Sequence, residues 1–288
     1  MGILYLVATP IGNLEDISMR SLRTLREVKL IAAEDTRHTR KLLSYYDIHT
    51  PMMSFYEHNQ SVKTNQVLSA LDGGDVALVS DAGTPNINDP GFELVRAAIA
   101  QGFQVSPIPG ACAPIAALIA SGLPTDSFLY LGYLPRKAQA RYHALQSVEQ
   151  LPYTLIFLET PHRFLESLLT MQEVLGERSI AVARELTKLH EEFFFGTFSE
   201  AHQHFSTKGV RGEFSLVVSG NNHPLRQPGE KIVTGETQPW QQTDLLTALQ
   251  QMLEQGETPS QAAARLAKVS GWARRDIYRL AALSAEER

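Results

Sequence analysis

The chain has 288 residues, 43% of them apolar, enough to fill the cores of two domains. A formal net charge of −5 argues against a generally nucleic-acid-binding surface, so any RNA contact must come from local basic clusters. The single cysteine, Cys112, excludes a disulfide framework, and no apolar run nears the ~18 residues that span a bilayer, so a cytoplasmic protein without membrane contact is expected.

Residues 1–122 read as repeated strand–loop–helix units, with strands near 3–8, 29–33, 52–55, 76–80 and 104–108 and helices between them. Leu22, Leu25 and Val28 recur at helical spacing behind Asp16 and Ser18, either of which can cap. Three strands run into small-residue loops. The first reaches Thr9-Pro10-Ile11-Gly12-Asn13-Leu14, the fourth reaches Ser80-Asp81-Ala82-Gly83-Thr84-Pro85-Asn86-Ile87-Asn88-Asp89-Pro90-Gly91, and the fifth reaches Pro109-Gly110-Ala111-Cys112-Ala113-Pro114. In an open α/β sheet, ligands bind outside the carboxyl ends of the strands, so a small molecule is expected among these loops. Neither a G-x-G-x-x-G fingerprint nor a P-loop follows any strand. The loops offer backbone groups, the carboxylate of Asp81 and almost no basic residues. That chemistry suits a ligand carrying little negative charge and argues against a phosphate cradle. A single loop of this kind reads as an ordinary turn, with Asp81 closing an Asx-turn; three at strand ends point to a site.

Residues 123–222 form a second α/β domain, with Gly122–Asp126 as the boundary and a ligand cleft expected between the two. Its strands fall at 128–133, 154–158, 179–183, 192–195 and 214–219, with helices near 137–149, 162–175 and 198–206. Arg136, Lys137 and Arg141 cluster in a stretch free of acids from 132 to 148, which suits RNA phosphates. Glu185 and Lys188 follow a strand end, where a salt-bridge network and a catalytic role are both open. His162 and Arg163 follow Glu159-Thr160-Pro161 at a helix start. His202 and His204 face different directions on a helix, so no metal site is expected.

Residues 223–239 read as a linker, and 240–288 as a C-terminal helical domain. Leu245, Ala248, Leu249, Met252 and Leu253 share one helical face, and Thr258-Pro259-Ser260-Gln261 starts another helix with a capping box. A Gly-containing turn before a third helix gives a helix-turn-helix outline. Arg265, Lys268, Arg274, Arg275 and Arg279 crowd it, and they serve equally well as RNA contacts or as a solvated face.

Val7–Ile17 and Ser80–Gly91 resemble the signature loops of the tetrapyrrole-methylase-type (class III) S-adenosylmethionine methyltransferases. Within that group the chain resembles the ribosomal RNA small-subunit methyltransferase I family. Leu131-Gly132-Tyr133-Leu134-Pro135-Arg136-Lys137, Glu159-Thr160-Pro161-His162-Arg163 and Ala183-Arg184-Glu185-Leu186-Thr187-Lys188 extend the match. Tetrapyrrole-precursor methylases carry a Gly-rich first loop and Gly-Gly-Asp-Pro in the second; Ala-Thr-Pro-Ile-Gly-Asn and Ser-Asp-Ala-Gly-Thr-Pro stand there instead, which places the chain on the RNA side.

The resemblance implies two α/β domains of the tetrapyrrole methylase type with the cofactor in the cleft between them. It implies methylation of a cytidine ribose 2′-hydroxyl in 16S ribosomal RNA at the decoding centre, with S-adenosylmethionine as cofactor and a homodimer as the working form. Asp81 is then the polar anchor, with Ile11, Ala82, Thr84, Ile87, Ala111 and Cys112 around the cofactor. Glu185 and Lys188, with Glu159 behind them, are the candidate proton acceptors. Arg136, Lys137, Arg163, Arg274 and Arg275 are the candidate RNA contacts. Two other readings stay open on the residues: methylation of a small molecule or protein side chain, and a non-enzymatic helix-turn-helix nucleic-acid-binding protein.

Overall fold

The computed structural model describes residues 2–57 and 59–221, and in the C-terminal part 245, 248, 249, 252, 253, 257–270, 272, 273 and 275–280. It divides into two compact units, Met1–Gln227 and Pro228–Arg288.

The first unit contains two five-stranded sheets. The first holds β1 (Ile3–Val7), β2 (Leu30–Ala33), β3 (Met52–Ser54), β4 (Val76–Val79) and β5 (Gln104–Ile108) in the order β3-β2-β4-β1-β5, all parallel. Helices cover both faces, which explains why β4 is apolar at every position instead of alternating. On one face, α1 (Met19–Glu27) and α2 (Thr36–Tyr45) pack Leu25 and Leu43 against Ile31, Ala77 and Val79. On the other, α3 (Gln60–Asp72) and α4 (Phe92–Ala100) pack Val67, Leu71, Leu94 and Ala98 against Leu4, Val76 and Leu78. Ser18, not Asp16, caps α1 by accepting from the Ser21 amide, and Asp35 caps α2 by accepting from Arg37.

The second sheet is mixed. It holds β6 (Phe128–Tyr133), β7 (Thr154–Glu159), β8 (Ser179–Arg184), β9 (Glu192–Thr197) and β10 (Phe214–Val218) in the order β6-β7-β10-β8-β9. Only β6 and β7 run parallel. One face carries α6 (Ala138–Gln146), α7 (Phe164–Leu175) and α8 (Phe198–Lys208) over a core in which Phe164 stacks on Phe214 at 4.1 Å and meets Phe205 edge-on at 5.0 Å. The other face is covered by α5 (Ala113–Ala120), whose Ala117 and Leu118 pack on Ile156, Ala181 and Val217. Helix α5 therefore leaves the loop after β5 of one sheet and is buried on the other.

In the second unit, α9 (Pro259–Ser270) opens with a reciprocal capping box, Gln261 N donating to Thr258 Oγ1 and Thr258 N to Gln261 Oε1. Residues 275–280 are helical, and Leu245, Leu249, Ala262, Ala263, Leu266 and Ile277 form a small core. The linker expected at 223–239 lies outside the described residues, as do Gly271 and Arg274. Among the described residues no helix is long and apolar enough to cross a membrane.

Candidate active site

A cavity of about 240 Å³ lies where the loops of the first sheet meet the second. The first sheet contributes Ile11 after β1, Glu34 after β2, Ala82, Thr84, Ile87, Asn88 and Asp89 after β4, and Cys112 after β5. The second contributes Tyr130 and Tyr133 from β6, Leu158, Ala183, Leu186, Glu213 and Ser215. Asp81 lines it as well.

The loops are locked to one another by main-chain bonds. Thr9 and Gly83 exchange both amide–carbonyl hydrogen bonds at 2.9 and 3.0 Å, and Thr84 Oγ1 donates to the Ala111 carbonyl at 3.0 Å. Gly83 sits at φ +86, a conformation that favours glycine, and a Cβ there would press on Ile11 at 3.2 Å. Asp81 Oδ1 accepts from the Asp35 amide at 2.9 Å, so the start of α2 is also fixed to the site.

The electrostatics are one-sided. The lining holds Glu34, Asp81, Asp89 and Glu213, with no lysine or arginine. Burial, with Glu34 and Asp81 nearby, pushes the Asp89 carboxyl up to about 7. Glu34 is raised by burial and by the Asp81 and Asp35 charges, against the Asp81 amide that it accepts from. Burial also raises both Tyr130 and Tyr133, so these hydroxyls stay protonated. The buried Oδ1 of Asn86 has no hydrogen-bond partner among the described residues. An acidic cavity without a phosphate-binding group fits a cofactor that carries a sulfonium and an ammonium.

Of the expected cofactor residues, Ile11, Asp81, Ala82, Thr84, Ile87 and Cys112 line this cavity, and Ala111 stands one shell behind through its bond to Thr84. Lys188 Nζ lies 2.9 Å from Glu185 Oε1 and 2.9 Å from Glu213 Oε2; Glu213 and the intervening Leu186 reach the cavity. The Lys188 bond holds the Glu185 carboxyl below its ordinary value. Glu185 and Thr187 take left-handed φ values of 51° and 64°, a sharp turn that non-glycine residues rarely adopt. Gly12 packs beneath this turn.

Glu159 does not join the lining. Strand alternation sends it to the α7 side, where it is 2% exposed. There it accepts from Arg163 at 2.6 Å, Ser167 at 2.6 Å and the Thr160 amide at 2.8 Å. Arg163 also donates to the Leu134 carbonyl, which leaves its guanidinium committed to the protein. Arg136 and Lys137 are exposed, but Arg141, expected beside them as a phosphate contact, is 2% exposed and paired with Glu166 at 2.6 Å. It is held against α7, where its guanidinium also donates to Thr170 Oγ1 at 3.1 Å. Arg275 is exposed; Arg274 is outside the described residues.

Glu34, Asn88, Asp89, Tyr130, Tyr133 and Glu213 also line the cavity, and no sequence pattern marks them individually. Asn88 and Asp89 lie inside the Ser80–Gly91 loop. The two tyrosines are three apart, and strict alternation puts them on opposite faces. A bulge between Tyr130 and Gly132 resets the phase and turns both into the cavity.

A family model described as Tetrapyrrole (Corrin/Porphyrin) Methylases matches residues 3–202. A relative from Halalkalibacterium halodurans named ribosomal RNA small subunit methyltransferase I is 45% identical over 97% of this chain and 94% of its own. Relatives of the same name from Synechocystis and Pseudomonas aeruginosa are 48% and 47% identical, each over 97% of this chain and 97% and 96% of their own. Among solved structures, uroporphyrin-III C-methyl transferase from Thermus thermophilus, complexed with S-adenyl homocysteine, superposes with a TM-score of 0.54 at 19% identity, covering 76% of this chain and 97% of that one. Diphthine synthase superposes at 0.58 with 14% identity, over 76% and 90%, and both support the fold alone. The loop chemistry, the two-sheet architecture and these relatives agree: this chain belongs to the tetrapyrrole methylase family of S-adenosylmethionine-dependent methyltransferases, in its ribosomal RNA small subunit methyltransferase I branch.

Proposed function

We propose that this protein methylates the ribose 2′-hydroxyl of a cytidine in 16S ribosomal RNA at the decoding centre of the small subunit, working as a cytoplasmic homodimer. The observation that carries the reading is the acidic cavity at the carboxyl ends of β1, β2, β4 and β5, in a chain whose relatives are named for small-subunit ribosomal RNA.

When bound, S-adenosylmethionine supplies a methyl already activated by its sulfonium. The protein's part is alignment and a route for the hydroxyl proton. Asp81, Asp89 and Glu34 favour the cationic end of the cofactor, and backbone groups of Ala82, Thr84, Ala111 and Cys112 fix its orientation beside Ile11 and Ile87. The Glu185–Lys188–Glu213 cluster receives the proton, with Glu213 as its member at the cavity and Lys188 holding that carboxylate in place. Glu159 acts behind the site by holding Arg163. Arg136 and Lys137, with Arg274 and Arg275 in the C-terminal helical domain, contribute phosphate contacts. The target nucleotide must leave its stack to place the ribose in a cavity, as in base flipping.

The test is incubation with labelled cofactor and small ribosomal subunits lacking the methyl, followed by nuclease mapping. One labelled cytidine resistant to alkaline cleavage on its 3′ side is expected. Label on a base, a protein or a small molecule would sink the reading.

A further inference from the structure

Two helices on one face of the first sheet carry a concentrated positive charge. Helix α1 bears Arg20, Arg23 and Arg26, and α2 bears Arg37, Arg40 and Lys41, all exposed. Glu27 is the one acid within these two helices. The helices on the opposite face of the same sheet are balanced, with Lys63 and Asp72 on α3 and Glu93 and Arg96 on α4. The contrast stands in a chain of net charge −5. Folding stability does not call for it, because like charges crowded on neighbouring helices repel and the apolar faces beneath them already secure packing.

Half of these six cations have partners. Arg37 pairs with Asp35 at 2.7 Å, Arg26 donates to the Tyr46 carbonyl and Arg20 to the Pro107 carbonyl. Arg23, Arg40 and Lys41 have no acidic partner among the described residues.

The face is also joined to the cavity. Helix α2 starts directly after Glu34, which lines the cofactor cavity, and its cap Asp35 is hydrogen-bonded to Asp81. Glu34 simultaneously lines a second, open groove of about 360 Å³ with Asp35, Thr36, Arg37, Ser54 and Tyr56. A guanidinium and a phenol ring beside such a groove match the way unstacked RNA bases are held.

We infer that the α1–α2 face is the docking surface for the phosphate backbone of the RNA strand flanking the target, which enters through the groove at Glu34 and Arg37. The inference rests on the RNA reading given above. Phosphodiesters are the complementary partner because the face offers separate exposed cations, which act on a periodic polyanion by releasing its counterions.

The experiment uses the full-length protein, small ribosomal subunits lacking the methyl, and a labelled single-stranded RNA carrying the target segment. The triple variant R23E/R40E/K41E should weaken binding to both by at least tenfold at low salt. Its log–log salt slope should flatten by about 2, since each lost single-strand phosphate contact removes roughly 0.7. Thermal stability and cofactor affinity should match the parent protein, with KM for subunits raised and single-turnover rate at saturation retained. The matched variant K63E/R96E on the opposite face should change none of these. If the parent methylates ribose but the triple variant binds and methylates like it, the inference is wrong and the functional reading survives. Retained binding of bare RNA with lost binding of subunits would assign the face to an acidic ribosomal protein and overturn it. No ribose methylation by the parent would instead remove the functional reading.

Discussion

The Tyr130 hydroxyl donates to the side-chain carbonyl of Asn88 at 2.5 Å, joining the loop after β4 of the first sheet to β6 of the second. The backbone on both sides is arranged for it. Asn88 sits at φ 66°, in the left-handed region that asparagine tolerates, and Gly132 at φ +62 leaves open the space where a Cβ would lie 2.6 Å from Asn88 Nδ2. Tyr130→Phe keeps the ring and deletes the donor, so cofactor affinity should fall by about 1 kcal/mol, the net worth of a neutral hydrogen bond. Gly132→Ala should cost more, because it strains the backbone and displaces Asn88. Titration calorimetry reads both, and parent-like affinity in the two variants would show that this bond does not hold the binding geometry.

The carboxylates should make cofactor binding pH-dependent. Asp89 titrates at about 7, raised by burial and by Glu34 and Asp81. Below that pH it carries a proton and the cavity has one negative charge fewer. A cationic cofactor favours the ionised form, so affinity should rise as pH climbs through about 7, with proton release on binding. For the cofactor-free fold the sign is opposite: a carboxyl with a raised folded value adds stability at acid pH, which is lost as pH rises through about 7. Asp89→Asn should flatten both profiles. Asp81→Asn keeps an oxygen for the Asp35 amide but removes the charge, and should weaken binding by roughly 1.5–3 kcal/mol. A pH-independent affinity in the parent would mean that Asp89 does not face the cofactor.

Glu159 and Arg163 should report on stability before anything else. Their pair is 2.6 Å long, with the Glu159 side chain 1% exposed and Ser167 on its second oxygen. Removing one partner strands a buried charge, so Arg163→Ala should destabilise the fold by about 3–5 kcal/mol in denaturant unfolding. A fully stable Arg163→Ala that lost only RNA affinity would return Arg163 to the RNA surface.

Lys188 offers the sharpest kinetic test. Burial pulls its ammonium down, but the hydrogen bonds to Glu185 and Glu213 outweigh this, so it stays charged. Lys188→Met releases the Glu213 carboxylate and should lower the single-turnover rate by ~10²–10⁴, with cofactor affinity retained. Near-normal rates in both Lys188→Met and Glu213→Gln would move the proton acceptor elsewhere.

What the sequence disclosed followed from local rules. The apolar run at Val76–Val79, followed by Gly and Pro, marks a strand and its loop because a central parallel strand covered on both faces lacks alternation, whereas the edge strand Gln104–Ile108 is marked mainly by the Pro109-Gly110 that follows it. Ser18 and Thr258 announced helix starts through cap chemistry. The pairing of Arg141 with Glu166, 25 residues away, left no local sign, so its acid-free neighbourhood resembled an exposed patch. The tyrosines were hidden by the β6 bulge, which is written in backbone torsions instead of side-chain periodicity. The α1–α2 arginines carry no such sign in the sequence, because their crowding arises only when two helices lie on one face of a sheet.

The path of α5 governs where this chain can be divided. Its first residues belong to the cofactor loop beside Cys112, and its body covers Ile156, Ala181 and Val217. A split gene cut after Ser121 would strand Ala117 and Leu118 on the first fragment, bare to water, and uncover the second fragment's sheet. A cut at Pro109-Gly110 hands α5 to the fragment it protects. Each piece then keeps its own core, neither holds a whole cavity, and reassembly restores the site, which makes that seam the natural place for a two-part complementation reporter.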